Sequence, residues 1–499
     1  MTAVHDTLVP LSHPDRFFIG GEWVKPSTED TIKVIDSGTE QLYFTVAEAK
    51  EADLSSAVAV ARQAFDQGPW PRLSHAERAG YLRALASELR KRDADIGQIW
   101  PRESGVLQST ALTMAAGGAF AFDFYADMAD TFPFTEPVQP AWGGEFGLIV
   151  HEPVGVVGAI VPWNVPLGLM VWKVAPALLA GCTVVVKSSP EAPGEGYVLA
   201  EAAQAAGLPP GVVNAVTADR QVSELLVRDP RVDNIAFTGS TAAGRRIGSI
   251  LGERIARYTL ELGGKSAAVV LEDADIAAVA RELAAHECNI TGQFCASLSR
   301  IVVPRSRHDE FVEALAGDFS AVRVGDPFDP RTEMGPLAVR RQRDRVEGYI
   351  AKGIAEGATL ATGGHRPAHL NRGWFIEPTV FGNVDNSSTI AQEEIFGPVL
   401  SVIPADNERQ AIEIANDSIY GLNASVYTND VDHALAVARQ LRSGTVGHNA
   451  YRGDFTMAFG GFKQSGVGRE GGRDGLREFL ETKSVILNAR PSGYENASV

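Results

Sequence analysis

Three residues of this chain are of types that could carry covalent chemistry, and each lies in a distinctive local sequence. Cys295 sits in GQFCASLSR, where Gly292 closes a helical pattern and leaves the thiol on a loop. An ordinary thiol is only slightly ionised at neutral pH, so a nucleophile here needs a helix N-terminus or a partner to activate it; otherwise it simply packs. Glu261 is the acid of TLELGGK, where an apolar strand runs into a Gly pair that lets the backbone approach something closely. Partial desolvation there would raise its pKa and suit a general base, the alternative being an ion pair with Lys265. Asn164, in PWNVP, is a neutral amide donor in an apolar turn. It could steady a developing oxyanion without bringing a counter-charge, or be a turn Asn and nothing more.

Other residues could serve a ligand. FTGSTAAG places Gly239 and Gly244 directly after a strand and at the start of a helix, so that backbone N–H groups and the helix dipole could face a pyrophosphate. Arg245 and Arg246 follow where an NTPase loop needs Lys then Ser or Thr, which excludes that reading. Lys187 ends the strand TVVVK, where a ribose or phosphate would lie in an open α/β sheet, or is a solvated strand-end lysine. Lys173 falls inside an apolar helix, where burial would demand a partner unless the side chain snorkels to the surface. Glu393 and Glu394 precede an apolar turn. His365 and His369 have metal-like spacing, but Pro367 between them breaks the helix that would align them, so no metal is expected. Cys182 and Cys288 read as packing residues.

The elements that must position these groups follow from the periodicity. Val154 to Val186 carries one charge, Lys173, and is long enough to cross a bilayer, yet Pro162, Asn164 and Pro166 interrupt it. It divides into a strand, a turn, a buried helix ending at Gly181 and a second strand, which is a buried βαβ unit. Strand-like runs (VVNAVT, NIAFTG, TLELGG, AAVVLE) then alternate with helical ones, predicting a parallel, doubly wound sheet with a dinucleotide site at its strand C-termini. A second alternating set from SRIVVP to DHALAVARQL predicts a second α/β domain. At 499 residues the chain exceeds what one core usually supports.

The net charge of −17 opposes nucleic acid or an anionic membrane as partner, since both need clustered Lys and Arg. Three cysteines without disulfide-like spacing suit a reducing compartment, and the N-terminus shows no export signal, so a cytoplasmic protein is expected.

Taken together, PWNVP at 162–166, FTGSTAAG at 237–244, ELGGK at 261–265, GQFC at 292–295, EEIFGP at 393–398 and FGGFKQSGVGRE at 459–470 resemble the aldehyde dehydrogenase superfamily over nearly the whole chain. The 34-residue interval from Glu261 to Cys295 also resembles the family's spacing of base and nucleophile. The resemblance implies two Rossmann-like α/β domains plus a small β oligomerisation arm. Residues 1–128 and 152–263 would bind NAD(P), 264–470 would carry the nucleophile, and 129–151 with 471–499 would form the arm of a homodimer or homotetramer. It implies Cys295 as nucleophile, Glu261 as base for the hydrolytic water, Asn164 as oxyanion donor and Lys173 as proton relay. Around the cofactor it places Val161, Trp163, Lys187, Pro190, Phe237, Gly239, Ser240, Leu262, Glu394 and Phe396. It lines the substrate tunnel with Val165, Leu169, Trp172, Phe294, Ala296, Tyr451 and Phe455, an apolar set that suits a medium-length aliphatic or aromatic aldehyde.

Two departures stand out. Many NAD-preferring members carry a glutamate three residues after the strand-end lysine, and this chain has Pro190 there, removing one repulsive element against a 2′-phosphate. NAD is the expected cofactor and NADP the alternative. The family's usual Asn two residues before the GQ glycine is Ile290 here, with Asn289 one place off. The CoA-acylating type of the family typically lacks the ELGGK glutamate, so Glu261 favours water; a non-catalytic member would not be expected to keep Cys295, Glu261 and Asn164 together.

Overall fold

The structure, a computed structural model, describes residues 9–494. The expectations that touch residues 1–8 and 495–499, including the N-terminus, lie outside the described residues. Two large sheets dominate. In the first, five parallel strands (Arg257–Glu261, Asn234–Thr238, Val156–Ile160, Thr183–Ser188, Val213–Thr217) lie side by side in that order. Phe17–Ile19 with Glu22–Val24 extend one edge, and Gly466–Val467 the other, all antiparallel. The central strands are buried along their whole length, as expected of a parallel sheet covered on both faces.

The chain winds outward from Val156–Ile160 through Thr183–Ser188 to Val213–Thr217, then returns to Asn234–Thr238 on the other side. The strand order therefore reverses between Val156–Ile160 and Asn234–Thr238, and ligands of open α/β sheets bind at the strand C-termini of such a switch point. PWN follows the first of these strands and Gly239 and Ser240 the second.

The second sheet has seven strands in the order Thr359–Thr362, Thr379–Gly382, Val399–Ala405, Arg300–Pro304, Ala267–Val270, Asn423–Tyr427 and Thr445–His448, parallel except for the first. The chain passes from the first sheet to the second through Leu262–Ser266, so ELGGK lies between the two. A third sheet pairs Leu480–Leu487 with Phe146–Pro153 over eight residues, and Phe146–Pro153 with Thr135–Val138. The fold is thus the mixed α/β, parallel-sheet architecture that the alternation of runs predicts.

The apolar stretch from Val154 resolves as strand Val156–Ile160, a turn, helix Pro166–Ala180 and strand Thr183–Ser188. Pro166 opens the helix, where its missing N–H costs nothing, and Gly181 ends it at φ 103°, a conformation cheap only for glycine. Among the described residues no helix is long and apolar enough to cross a membrane.

The start of that helix rests on a buried acid. The Leu167 N–H donates to Glu195, whose carboxyl burial pushes up to about 8. Glu103 lies close by, also buried and also pushed up, and its carboxylate accepts the Gly194 N–H. A carboxyl whose folded pKa exceeds its unfolded value favours the fold fully below the unfolded pKa, and that advantage is lost as pH rises through the folded one. Glu195→Gln keeps an acceptor for Leu167 and removes the titration. Its apparent melting temperature should exceed wild type by a few degrees at pH 9 and converge on it toward pH 5; a constant difference across that range would refute the assignment.

Candidate active site

Helix Ile276–Cys288 ends four residues before Gly292, earlier than the periodicity predicts. Ile290, Thr291 and Gly292 all have positive φ, which stops the i→i−4 ladder and turns the chain sharply toward Cys295. Cys295 is half-buried, the other two cysteines are buried, and all three are free. Burial and then the carboxylates of Glu394 and Glu261 push the Cys295 thiol up to about 12.

The turn bearing Asn164 is clamped from helix Asp93–Ser104: Trp100 Nε1 donates to the Asn164 carbonyl at 2.9 Å and Ser104 Oγ to the Trp163 carbonyl at 2.6 Å. Asn164 is buried, and its Nδ2 donates to the Gln293 carbonyl at 2.9 Å, so the amide reaches the backbone just ahead of Cys295. From the other side ELGGK packs on the same loop. A Cβ on Gly264 would lie 2.3 Å from the Cys295 carbonyl oxygen, which explains glycine there.

Glu261 ends strand Arg257–Glu261 and is 2% exposed, yet neither carboxylate oxygen has a hydrogen-bond partner. Burial, then the Glu470 carboxylate, holds its pKa well above the usual range, against the opposing pull of Lys173. Lys173 does not snorkel: it is fully buried, donating from Nζ to Glu470 Oε1 at 2.5 Å and to Thr238 Oγ1 at 2.6 Å. The alternative pairing of Glu261 with Lys265 is not formed, since Lys265 Nζ makes no hydrogen bond. Glu470 was not singled out from sequence; its one signal is its place as the last residue of FGGFKQSGVGRE.

At the switch point a cavity of about 420 Å³ opens beside Ile160, Trp163, Lys187, Pro190 and Phe237. Burial lowers Lys187 to about 8. Val161 donates its N–H to the Lys187 carbonyl, tying the two strand ends together. Ser240 caps helix Thr241–Arg254, its Oγ accepting the Ala243 N–H, while Gly244 packs on the Leu262 side chain. Gly239 is needed for space: a Cβ there would meet the Phe237 ring at 2.5 Å. Toward Cys295, Glu394 Oε1 accepts the Gly264 N–H at 3.1 Å, and Phe396 meets Trp163 edge-on with centroids 5.4 Å apart.

Several of the residues that the resemblance assigns to a substrate tunnel cluster with Cys295. Trp172, Phe294, Cys295 and Tyr451 pack together against buried Ala296, Leu422 and Phe459. Phe455 continues the wall, 5.2 Å from Trp172 and 5.5 Å from Phe124, with Leu169 packed on the same core. Val165 packs on the neighbouring cluster of Trp100, Val106, Ala111 and Ile290. His286, stacked on Tyr451 at 4.4 Å, lies in no motif, and Phe459, although it opens FGGFKQSGVGRE, carries no local signal that it packs beside Cys295. Among the described residues no group of three or more His, Cys, Asp or Glu is placed to hold a metal ion.

The aldehyde dehydrogenase family model matches residues 23–485. The chain belongs to the aldehyde dehydrogenase family. It is 45% identical over 473 residues to the geranial dehydrogenase of Castellaniella defragrans, covering 95% of this chain and 98% of that one. It is 40% identical to the 3-succinoylsemialdehyde-pyridine dehydrogenase of a Pseudomonas species, over 97% and 99% of the two chains. Among solved structures, a Mycobacterium tuberculosis aldehyde dehydrogenase complexed with NAD+ superposes with TM-score 0.93 at 47% identity, covering 96% of this chain and 99% of that one. A mutant of aldehyde dehydrogenase C from Pseudomonas syringae, complexed with NAD+ and octanal, gives 0.92 at 37%, covering 96% and 98%. This aldehyde dehydrogenase is accordingly an oxidoreductase.

Proposed function

We propose that this enzyme oxidises an apolar aldehyde to its carboxylic acid with NAD, through a thioester on Cys295 hydrolysed by water that Glu261 activates. The observation that carries the reading is Glu261: a buried carboxylate with both oxygens unpaired, its charge felt at the Cys295 thiol. Burying an acid without partners costs several kcal/mol, and function is the usual reason that such a cost is kept.

The residues present fit the dinucleotide. Lys187 and Glu191 border the cavity at the sheet's switch point, Ser240 starts a helix whose N-terminus suits a pyrophosphate, Phe396 meets the cavity's Trp163 edge-on, and Glu394 accepts the N–H of Gly264, which packs on Cys295. When bound, NAD accepts the hydride that the aldehyde carbon must lose. Cys295 sulfur attacks that carbon, and its thiol proton leaves to solvent. The Asn164 amide and the Cys295 backbone N–H hold the oxyanion that forms. After hydride loss the thioester carbon takes a water whose proton passes to Glu261, and Lys173 with Glu470 offers that proton a way out. The thiolate leaves as the acid is released, so aldehyde, water and NAD+ become acid, NADH and a proton.

The aromatic wall of Trp172, Phe294, Tyr451 and Phe455 supports an apolar substrate, as do the names of the geranial dehydrogenase and the octanal complex. A panel of aldehydes should show octanal or geranial ahead of a carboxylate-bearing semialdehyde in kcat/KM; the reverse order would overturn the apolar assignment. We assign 1–128 with 152–263 to cofactor binding, 264–470 to catalysis and 129–151 with 471–499 to an oligomerisation arm, in a cytoplasmic homotetramer. The third sheet, with Trp142 and Ile486 exposed, supports the arm.

The carboxylate missing at Pro190 reappears one residue on. Glu191 borders the same cavity, where Ser189 Oγ and the Arg341 guanidinium both bind it. A 2′-phosphate brought beside that carboxylate meets like charge, which costs several kcal/mol. Wild type should therefore prefer NAD over NADP by more than about tenfold, and Glu191→Ala, which frees Arg341, should cut the ratio of kcat/KM values by about tenfold or more. Direct binding of each dinucleotide, followed by fluorescence, should shift in step. An unchanged ratio would remove Glu191 from cofactor selection.

A further inference from the structure

The loop that presents Cys295 is held in a costly backbone conformation. Ile290 (φ 54°), Thr291 (φ 56°) and Gly292 (φ 67°) are successive residues in the left-handed region. For a β-branched residue that conformation costs on the order of 1–3 kcal/mol, and it persists only where the surroundings over-determine it. Asn, which resemblance to the family leads one to expect at position 290, tolerates the left-handed region better than Ile does. This chain therefore needs stronger fixation of the loop.

Fixation on the entry side is visible. Thr291 Oγ1 donates to the Gly335 carbonyl at 3.1 Å, and Gln293 Nε2 donates to the carbonyls of Ser104 at 3.2 Å and Ile290 at 3.1 Å. Across the loop, Ser297 Oγ donates to Glu287 Oε2 at 2.5 Å. That bond joins the last turn of helix Ile276–Cys288 to the residue two beyond the nucleophile, closing the chain on both sides of Cys295. Glu287 is 1% exposed and Ser297 7% exposed. The second Glu287 oxygen has no partner and sits so close under the turn that a Cβ on Gly292 would lie 2.7 Å from it. Buried Lys265, whose Nζ makes no hydrogen bond, is the cation whose charge Glu287 feels. The mechanism above uses neither Glu287 nor Ser297.

We propose that the Glu287–Ser297 hydrogen bond is a staple that holds the strained loop, and with it Cys295, in its attacking position. Both are positioning residues, and the proposal rests on Cys295 being the nucleophile. A hydrogen bond to a buried acid is among the stronger ones, and a displacement of about 1 Å at a reacting atom can cost about a hundredfold in rate.

The test compares wild type with Ser297→Ala, Ser297→Thr and Glu287→Gln. It measures steady-state turnover, NAD binding by fluorescence, melting temperature, and the rate at which iodoacetamide alkylates Cys295, located by peptide mass. In Ser297→Ala, kcat and the alkylation rate should both fall by about tenfold or more, while NAD affinity and aldehyde KM stay within about twofold. Ser297→Thr restores the hydroxyl and should recover the rates; Glu287→Gln keeps an acceptor oxygen and should retain more activity than Ser297→Ala. Ile290→Asn placed in the Ser297→Ala background should return part of the loss by relieving the strain. The staple is overturned if Ser297→Ala matches wild type in both rates, or if Ser297→Thr is as impaired as Ser297→Ala. If alkylation at Cys295 leaves wild-type turnover intact, the assignment of the nucleophile fails, and the staple with it.

Discussion

Glu261→Gln, mixed with NAD and an apolar aldehyde, should release a burst of NADH approaching one equivalent per subunit and then nearly stop. The substitution is close to isosteric and removes only the ability to accept a proton, so thiol addition and hydride loss can still occur once. Hydrolysis should not follow, because the neighbouring buried carboxylate, Glu470, is tied through its Oε1 to Lys173 at 2.5 Å. General bases contribute about 10²–10⁴ in rate, so steady-state turnover should fall by at least a hundredfold while the burst survives. The pH dependence has a definite sign. Burial holds the Glu261 pKa well above the ordinary carboxylate value, so hydrolysis should gain rate as pH rises through that raised pKa and be slow below it. Stopped-flow absorbance at 340 nm reads both. Loss of the burst together with turnover would move Glu261 to an earlier step, and unimpaired turnover would remove it from catalysis.

The second large effect is that of Cys295→Ala, which should abolish the burst as well as turnover at every pH and with every aldehyde in the panel. No second thiol can substitute. Cys182 is buried, with its thiol donating to the Phe479 carbonyl, and Cys288 is buried in the core of the second sheet. Alanine fits where the cysteine stood, so dinucleotide binding and melting temperature should stay near wild type. Any NADH formation above the enzyme-free rate in this variant would show that hydride leaves an aldehyde adduct not made on sulfur.

Much of this site was legible because its key residues lie in contiguous motifs. PWNVP, ELGGK and GQFC each deliver one group, and the interruptions of the stretch from Val154 to Val186 divide it where the strand, turn, helix and strand divide. What escaped depends on long-range contact. Glu470 acquires meaning from Lys173, 297 residues earlier in the chain, and no local pattern announces that pair. Glu191 directly follows Pro190 in the chain, but only the cavity shows both on one rim. The end of helix Ile276–Cys288 was misplaced because Ile290 and Thr291 have little propensity for the left-handed conformation, which tertiary bonds impose on them. Val165, which the resemblance places in the tunnel, packs on the cluster that holds Trp100 and Ile290, a contact no local pattern announces.

The covalent thioester is the centre of the account, and mass spectrometry of Glu261→Gln addresses it directly. The variant is mixed with NAD and octanal, quenched in acid after the burst, and digested. The account predicts a mass increase equal to the octanoyl group on the peptide that contains Cys295, in an amount matching the burst, and none when NAD is omitted. A burst without that adduct, or with the acyl group on another residue, would contradict it.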